Sequence, residues 1–248
     1  MSSFLDDILD ENKANTWISQ GTEEWDRVRL GRFTSSEMSR LMQPSKRDMT
    51  EDELKSRPKS GKGSKTTQVE DYGTLSPGGM TYVYEKVAEV LTGQARVQGY
   101  AFPLVYGKET EPLAADHFQR VTGLELEECG FFTYTDHAGG SPDRLIGDDA
   151  IMEIKCPADS VNMLGYLMLT DHYDVRRDYF EYWVQCQANM LFTGRKVCHF
   201  VAFDPRMLDD KHKMAHIQLP ANEEFQNLIV SQITIAVKEK LSLLKTLS

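Results

Sequence analysis

The chain has 248 residues, 40% of them hydrophobic, and a formal net charge of −10. That length suits one compact domain with ample core material, and no apolar run approaches a membrane span. The acidic start MSSFLDDILDEN lacks the basic n-region of a secretory signal, and the acidic balance counts against a nucleic-acid binder unless basic residues are gathered locally.

Trp25 to Met42 reads as helix, interrupted near Gly31-Arg32-Phe33-Thr34, with Trp25 in the core. Thr34 or Ser35 is the expected N-cap of the part that follows, with Glu37 near its third position. Residues 44–79 read as a polar, loop-like insertion. Inside it LKSRPKSGKGSK, residues 54–65, carries Lys55, Arg57, Lys59, Lys62 and Lys65 and no acid. This run is either a solvated linker or a loop contacting phosphates; an acidic exterior around a basic channel reconciles the second reading with the net charge. Thr81 to Leu91 has the spacing of an amphipathic helix ended by Gly93. Gly107 to Val121 predicts a helix with Pro112 in its first turn and Gly123 past its end. Strands are expected near 126–134, 141–147 and 150–156, then a helix Asp178 to Phe192 stopped by Gly194. Strands Val197 to Phe203 and Ala215 to Leu219 and a long helix Asn222 to Leu247 complete the order. Cys129, Cys156, Cys186 and Cys198 form no C-x-x-C pair, which argues against zinc or iron–sulfur ligation and fits free thiols in a reducing cytoplasm. His212 and His216, four apart, read as part of a charged turn entering a strand.

The chemistry concentrates in GSPDRLIGDDAIMEIKCP, Gly140 to Pro157. As a hairpin whose turn is centred on Asp148, it sets Asp143 opposite Glu153 and Ser141 opposite Lys155. Ile151, Glu153 and Lys155 share one face, while Met152 and Ile154 point into a core. Directly opposed carboxylates repel, and a divalent cation is one reason to place them so. Hard carboxylate oxygens suit Mg²⁺, and a metal beside a lysine suits phosphodiester hydrolysis. The same residues also fit a plain surface hairpin with a polar face.

The order helix–strand–strand–strand–helix–strand over residues 107–203, wrapped around P-D and E-x-K, resembles the PD-(D/E)xK nuclease core. In more detail the chain resembles the phage lambda-type exonucleases, or YqaJ-like viral recombinases, from about Gly21 to about Met207. The blocks are Gly21-Thr-Glu-Glu-Trp25, Arg29-Leu-Gly31, Thr34-Ser-Ser-Glu37 and Tyr106-Gly-Lys-Glu-Thr-Glu111. Ser141-Pro-Asp143, Glu153-Ile-Lys-Cys-Pro157, Gln185-Cys-Gln187 and Phe203-Asp-Pro-Arg-Met207 follow in order.

The resemblance implies an α/β fold: a PD-(D/E)xK, restriction-endonuclease-like core with a central mixed β-sheet flanked by helices in αβββαβ order. It implies one nuclease domain over 1–248, with its core about 107–204, a basic insertion about 44–79 in the N-terminal helical part, and a C-terminal helix about 222–247. By the same carry-over Asp143, Glu153, the Ile154 carbonyl and Glu111 are metal ligands, with Glu109 as the competitor of Glu111. Lys155 activates or orients the attacking water, Gln185 supports the scissile region or the lysine from the following helix, and Arg29, Ser36 and Ser141 hold a 5′-phosphate. The implied activity is Mg²⁺-dependent (Mn²⁺ as substitute, two ions per site) 5′→3′ degradation of linear double-stranded DNA to mononucleotides, leaving 3′ overhangs. A ring-shaped homotrimer, a phage single-strand annealing partner and the cytoplasm of a bacterial host are further implications. The competing readings are a PD-(D/E)xK endonuclease of restriction or repair type, and a catalytically degenerate DNA-binding or assembly protein.

Overall fold

Apolar periodicity, capping side chains and glycine stops divide the chain into elements that the computed structural model describes for residue 18 and residues 20–56, 67–95 and 102–248. In chain order these are α1 (Glu23–Arg29), β1 (Phe33–Thr34), a 3₁₀ helix (Ser35–Arg40), β2 (Pro44–Asp48), α2 (Glu51–Ser56), β3 (Gln68–Leu75) and α3 (Pro77–Thr92). Then come α4 (Phe102–Thr122), β4 (Phe132–Thr135), β5 (Ala138–Gly140), β6 (Arg144–Ile146) and β7 (Ala150–Lys155). The rest are α5 (Ser160–Leu167), α6 (His172–Asp178), α7 (Phe180–Thr193), β8 (Val197–Phe203), β9 (Met214–Pro220) and α8 (Glu223–Leu247).

The main sheet runs β6-β7-β8-β9, with β7 and β8 parallel and the two outer pairs antiparallel. Strand β7 is covered on both sides and buried at both parities. Ile151 belongs to the same buried cluster as Val184 and Ala188 of α7, while Met152 and Ile154 cluster with Ala114, Ala115 and Phe118 of α4. The plain surface hairpin is therefore excluded: Glu153 is 1% exposed in the central strand of a covered sheet. Strand β6 pairs with β7 as Arg144↔Met152 and Ile146↔Ala150, so the turn is centred on Asp148 as the sequence suggests.

A second sheet, β1-β5-β4, lies beside the first. The strand expected over 126–134 divides between the two. Glu127 makes a single antiparallel bridge to Leu145 on the edge of the main sheet, and only Phe132–Thr135 forms a strand, paired to β5. The αβββαβ order survives with its first strand reduced to that bridge.

Other expectations are corrected by tertiary packing. The described residues of 44–79 are not a loop: Pro44–Asp48 and Gln68–Leu75 pair as a two-stranded ribbon, with α2 following the first strand and α3 beginning at Pro77. The ribbon's polarity resembles that of a loop because its side chains bond across it, Ser45 Oγ lying 2.8 Å from Thr74 Oγ1. Most of the basic run, residues 57–66, lies outside the described residues, and Lys55 is 3.5 Å from Glu51 within α2. The helix predicted over 25–42 ends at Arg29, where Gly31 (φ +69°) turns the chain into β1, and resumes as a 3₁₀ helix. Thr34 takes the N-cap position without a capping bond; its hydroxyl lies 3.3 Å from Ser36 Oγ instead. Helix α4 begins at Phe102, so Pro112 falls in its middle and not in its first turn. Lacking an N–H, Pro112 releases the Lys108 carbonyl from the helical ladder. The helix predicted over 178–192 is α7, Phe180–Thr193, which starts two residues later because the chain breaks at Tyr179 (φ −134°, ψ 50°). Helices α5 and α6 were not anticipated.

Candidate active site

Strand β7 and helix α7 are matched in pitch. Two residues of strand advance roughly 6.8 Å and four residues of helix about 6 Å, so Lys155 and Glu153 face Gln185 and Asn189 in turn. Lys155 Nζ donates to Gln185 Oε1 at 3.1 Å and to Glu153 Oε1 at 2.7 Å, and lies 4.4 Å from the centre of the Tyr182 ring. Asn189 Nδ2 donates to Glu153 Oε2 at 3.2 Å. Glu153 is thus gripped at both oxygens. A Cβ on Gly140 would stand 2.5 Å from Asn189 Oδ1 and 2.5 Å from Ser35 Oγ, so a bare α-carbon lets α7 close on the strand.

Asp143 sits just before β6. Its N–H donates to Met152 O at 3.0 Å, continuing the register that puts it opposite Glu153. The Ile154 N–H donates to its Oδ2 at 2.6 Å. Burial, then the charges of Glu153 and Glu111, push the Asp143 carboxyl well above its ordinary range. Burial also raises Glu111, against the opposing pull of Arg144. Lys155 is held above the ordinary lysine range: burial disfavours its charge, but Glu153 and Asp143 outweigh it. Of the two candidate glutamates on α4, Glu109 is exposed and Glu111 is half-buried, 2.9 Å from Arg144. A groove of about 750 Å³ runs over Glu111, Ile154 and Lys155, walled by Phe102 and Leu104 on one side and Asn162, Tyr166 and Tyr182 on the other.

The rim of the E-x-K-C-P turn is tied down by the D-P-R-M block. Arg206 donates at 2.8 Å each to the carbonyls of Pro157 and Ala158 and to Asp204 Oδ1, and stacks 4.7 Å over the Tyr106 ring. Asp204 has no exposed surface.

Two of the three residues expected to hold a phosphate, Arg29 and Ser141, meet at Trp25, which is half-buried at a cavity wall and not in the core. Its Nε1 donates to Ser141 Oγ at 3.1 Å, and the Arg29 guanidinium lies 4.0 Å over its ring. Among the described residues Arg29 has no ion pair, and burial lowers its pKa. Thr34 pairs in parallel with Gly139, so the 3₁₀ helix carrying Ser36 leaves β1 beside the strand that ends just before Ser141.

Among the described residues no three His, Cys, Asp or Glu side chains are drawn to metal-ligating distance. The donor set nonetheless fits a hard divalent cation. Asp143, Glu153 and Glu111 are all carboxylates, and the first is raised by the charges of the other two. Sequence reasoning did not single out Asn189 or Arg144, and it marked the Asp204-Pro-Arg206 block without giving it a role. For Asn189 a signal existed in the i, i+4 spacing from Gln185; Arg144 left none, because an arginine after Pro-Asp reads as a solvated charge.

A family model, the YqaJ-like viral recombinase domain, matches residues 24–196. The chain belongs to that family. Solved structures similar to this YqaJ-like chain include an alkaline exonuclease, LHK-Exo, from Laribacter hongkongensis. It is 24% identical with TM-score 0.69, over 91% of this chain and 96% of that one. The same protein in complex with dAMP matches equally. A phage-related exonuclease from Haemophilus somnus 129PT is 15% identical with TM-score 0.65, over 88% and 96%. A search of curated proteins found no match. The fold of these relatives is the one described above, and family and fold together support a nuclease of the lambda-exonuclease type.

Proposed function

We propose that this YqaJ-like chain is a Mg²⁺-dependent exonuclease that degrades the 5′-ended strand of linear double-stranded DNA to mononucleotides and leaves 3′ overhangs for strand annealing. The observation that carries the reading is Lys155 joined to both Glu153 and Gln185, with Asp143 in register opposite Glu153. That the similar LHK-Exo was crystallised with dAMP, a mononucleotide, agrees with the product class.

Asp143, Glu153 and the Ile154 carbonyl would hold one ion, and Glu111 would help hold a second; Mn²⁺ would substitute. When bound, the ions supply Lewis acidity toward the scissile phosphate. Lys155, with its ammonium fixed by Glu153, Gln185 and the Tyr182 face, orients the attacking water. Asn189 and the Ile154 N–H fix the two carboxylates on either side of it. Arg29, Ser36 and Ser141 receive the 5′-terminal phosphate. Among the described residues Arg29 makes no ion pair, although Asp26, Glu37 and Glu89 act on it from farther off, and a guanidinium backed by an indole can turn its donor fork to an anion. A homotrimeric ring around DNA, a single-strand annealing partner and a cytoplasmic site of action follow from the family resemblance. In keeping with that, no helix among the described residues is long and apolar enough to cross a membrane.

The test is digestion of linear duplex labelled at the 5′ or the 3′ end of one strand, with Mg²⁺ or EDTA, beside a closed circle. Early, Mg²⁺-dependent release of the 5′ label with the circle intact is expected. Opening of the circle would replace the reading by an endonuclease, and no cleavage by folded protein would replace it by a DNA-binding role.

A further inference from the structure

Glu111 stands between two spaces. It lines the groove above Lys155, and it also lines a second cavity of about 380 Å³ bounded by Gln20, Trp25, Lys108 and Glu128. Arg144 lines the second cavity and not the groove. From that side its Nη1 donates to Glu111 Oε1 at 2.9 Å and to the Asp143 carbonyl at 2.5 Å. Among the described residues Glu111 Oε2 accepts no hydrogen bond. One guanidinium therefore ties the helix that carries Glu111 to the backbone of Asp143, on a different element. It occupies one carboxylate oxygen and leaves the other.

The two side chains are well shielded, with 17% of Arg144 and 25% of Glu111 exposed, so the pair is not a solvent-screened surface contact. A carboxylate on a 21-residue helix has no local means of holding its aim on the sheet, and Pro112 next to it removes one backbone bond. Arg144 supplies what the helix lacks: a planar donor fork anchored at the first residue of β6, directly after Asp143.

We propose that Arg144 is a positioning residue of the nuclease site. It fixes Glu111 from the cavity side, so that Oε2 is presented to a divalent cation in the groove at a set distance from Asp143. This rests on the proposed ligand role of Glu111. Partners that orient a ligating carboxylate typically contribute roughly 10- to 100-fold in metal affinity. Arg144 also carries a positive charge, which by itself repels a cation; the proposal is that orientation outweighs it.

Mn²⁺ binding to the intact protein without DNA, measured by calorimetry, reads this directly. Arg144→Ala is expected to weaken Mn²⁺ binding roughly 10-fold or more, Arg144→Lys to restore part of the loss, and Arg144→Ala to have no further effect in a Glu111→Gln background. Thermal melting of each variant separates loss of aim from loss of fold; should Arg144→Ala melt early, Arg144→Met keeps the stem and answers the same question. Unchanged or tighter Mn²⁺ binding by a folded Arg144→Ala overturns the proposal, the tighter case making Arg144 a competitor of the cation. Unchanged binding by Glu111→Gln overturns instead the ligand role of Glu111 on which it rests.

Discussion

Asn189 offers a sharp test of the charge on Glu153. The amide is fully buried on α7, donates from Nδ2 to Glu153 Oε2 at 3.2 Å, and among the described residues its buried Oδ1 finds no partner. Asn189→Ala removes a hydrogen bond to a carboxylate, about 1.5–3 kcal/mol, but also removes an unsatisfied acceptor whose burial costs about 1 kcal/mol. The net loss is about 0.5–2 kcal/mol. Asn189→Asp keeps the size and sets a second carboxylate about 3.2 Å from the first. At an effective dielectric of 20 the repulsion is about 5 kcal/mol, more than protonating one member of the pair costs at neutral pH. The pair therefore shares a proton in the folded state. A carboxyl whose folded pKa is raised loses stability as pH rises through its unfolded value, and the loss is complete above the folded one. At pH 8 the Asp variant should be less stable than the Ala variant by about 3–4 kcal/mol, with the gap closing toward pH 4. Urea unfolding followed by circular dichroism at several pH values measures it. Coincident midpoints of the two variants at pH 8 would refute the reasoning, since an ionised Glu153 in contact with position 189 could not be indifferent to the added charge.

Lys155→Ala should stay folded and bind duplex ends while cleavage falls roughly 10²–10⁴-fold; single-turnover digestion beside a binding assay checks it, and wild-type cleavage would remove Lys155 from the chemistry. Arg29→Gln should slow digestion of 5′-phosphorylated ends by about 10- to 100-fold and spare 5′-hydroxyl ends, so an equal loss on both would disprove the phosphate contact. His199 and His216 share a hydrogen bond of 3.0 Å between β8 and β9, and burial with the neighbouring imidazole lowers His199 to about 4. Because the unfolded value is near 6.5, the unfolded chain binds the extra proton first, and stability is lost as pH falls from about 6.5 toward 4. His199→Gln should flatten the melting temperature over that window, and an unaltered slope would show that the pair does not govern it.

Much of the site was legible in local pattern. Alternation along Glu153-Ile-Lys155 and the three-residue turn at Gly147-Asp148-Asp149 placed Asp143 opposite Glu153, because register in a tight hairpin follows from turn length. Helix stops at Gly93 and Gly194, both in the left-handed region (φ +66° and +72°), were readable because only the local backbone decides them. What only the tertiary structure decided was everything set by a second element. Burial of both faces of β7, the grip of Asn189 on Glu153 and the burial of Glu111 beside an exposed Glu109 depend on which helix packs where; the spacing from Gly107 already favoured Glu111. The move of Trp25 from presumed core to the wall of a cavity, and the pairing of Arg144 with Glu111, are of the same kind. Those contacts join residues 33 to 116 positions apart, and side-chain type at one position carries no record of a partner that the fold alone brings near.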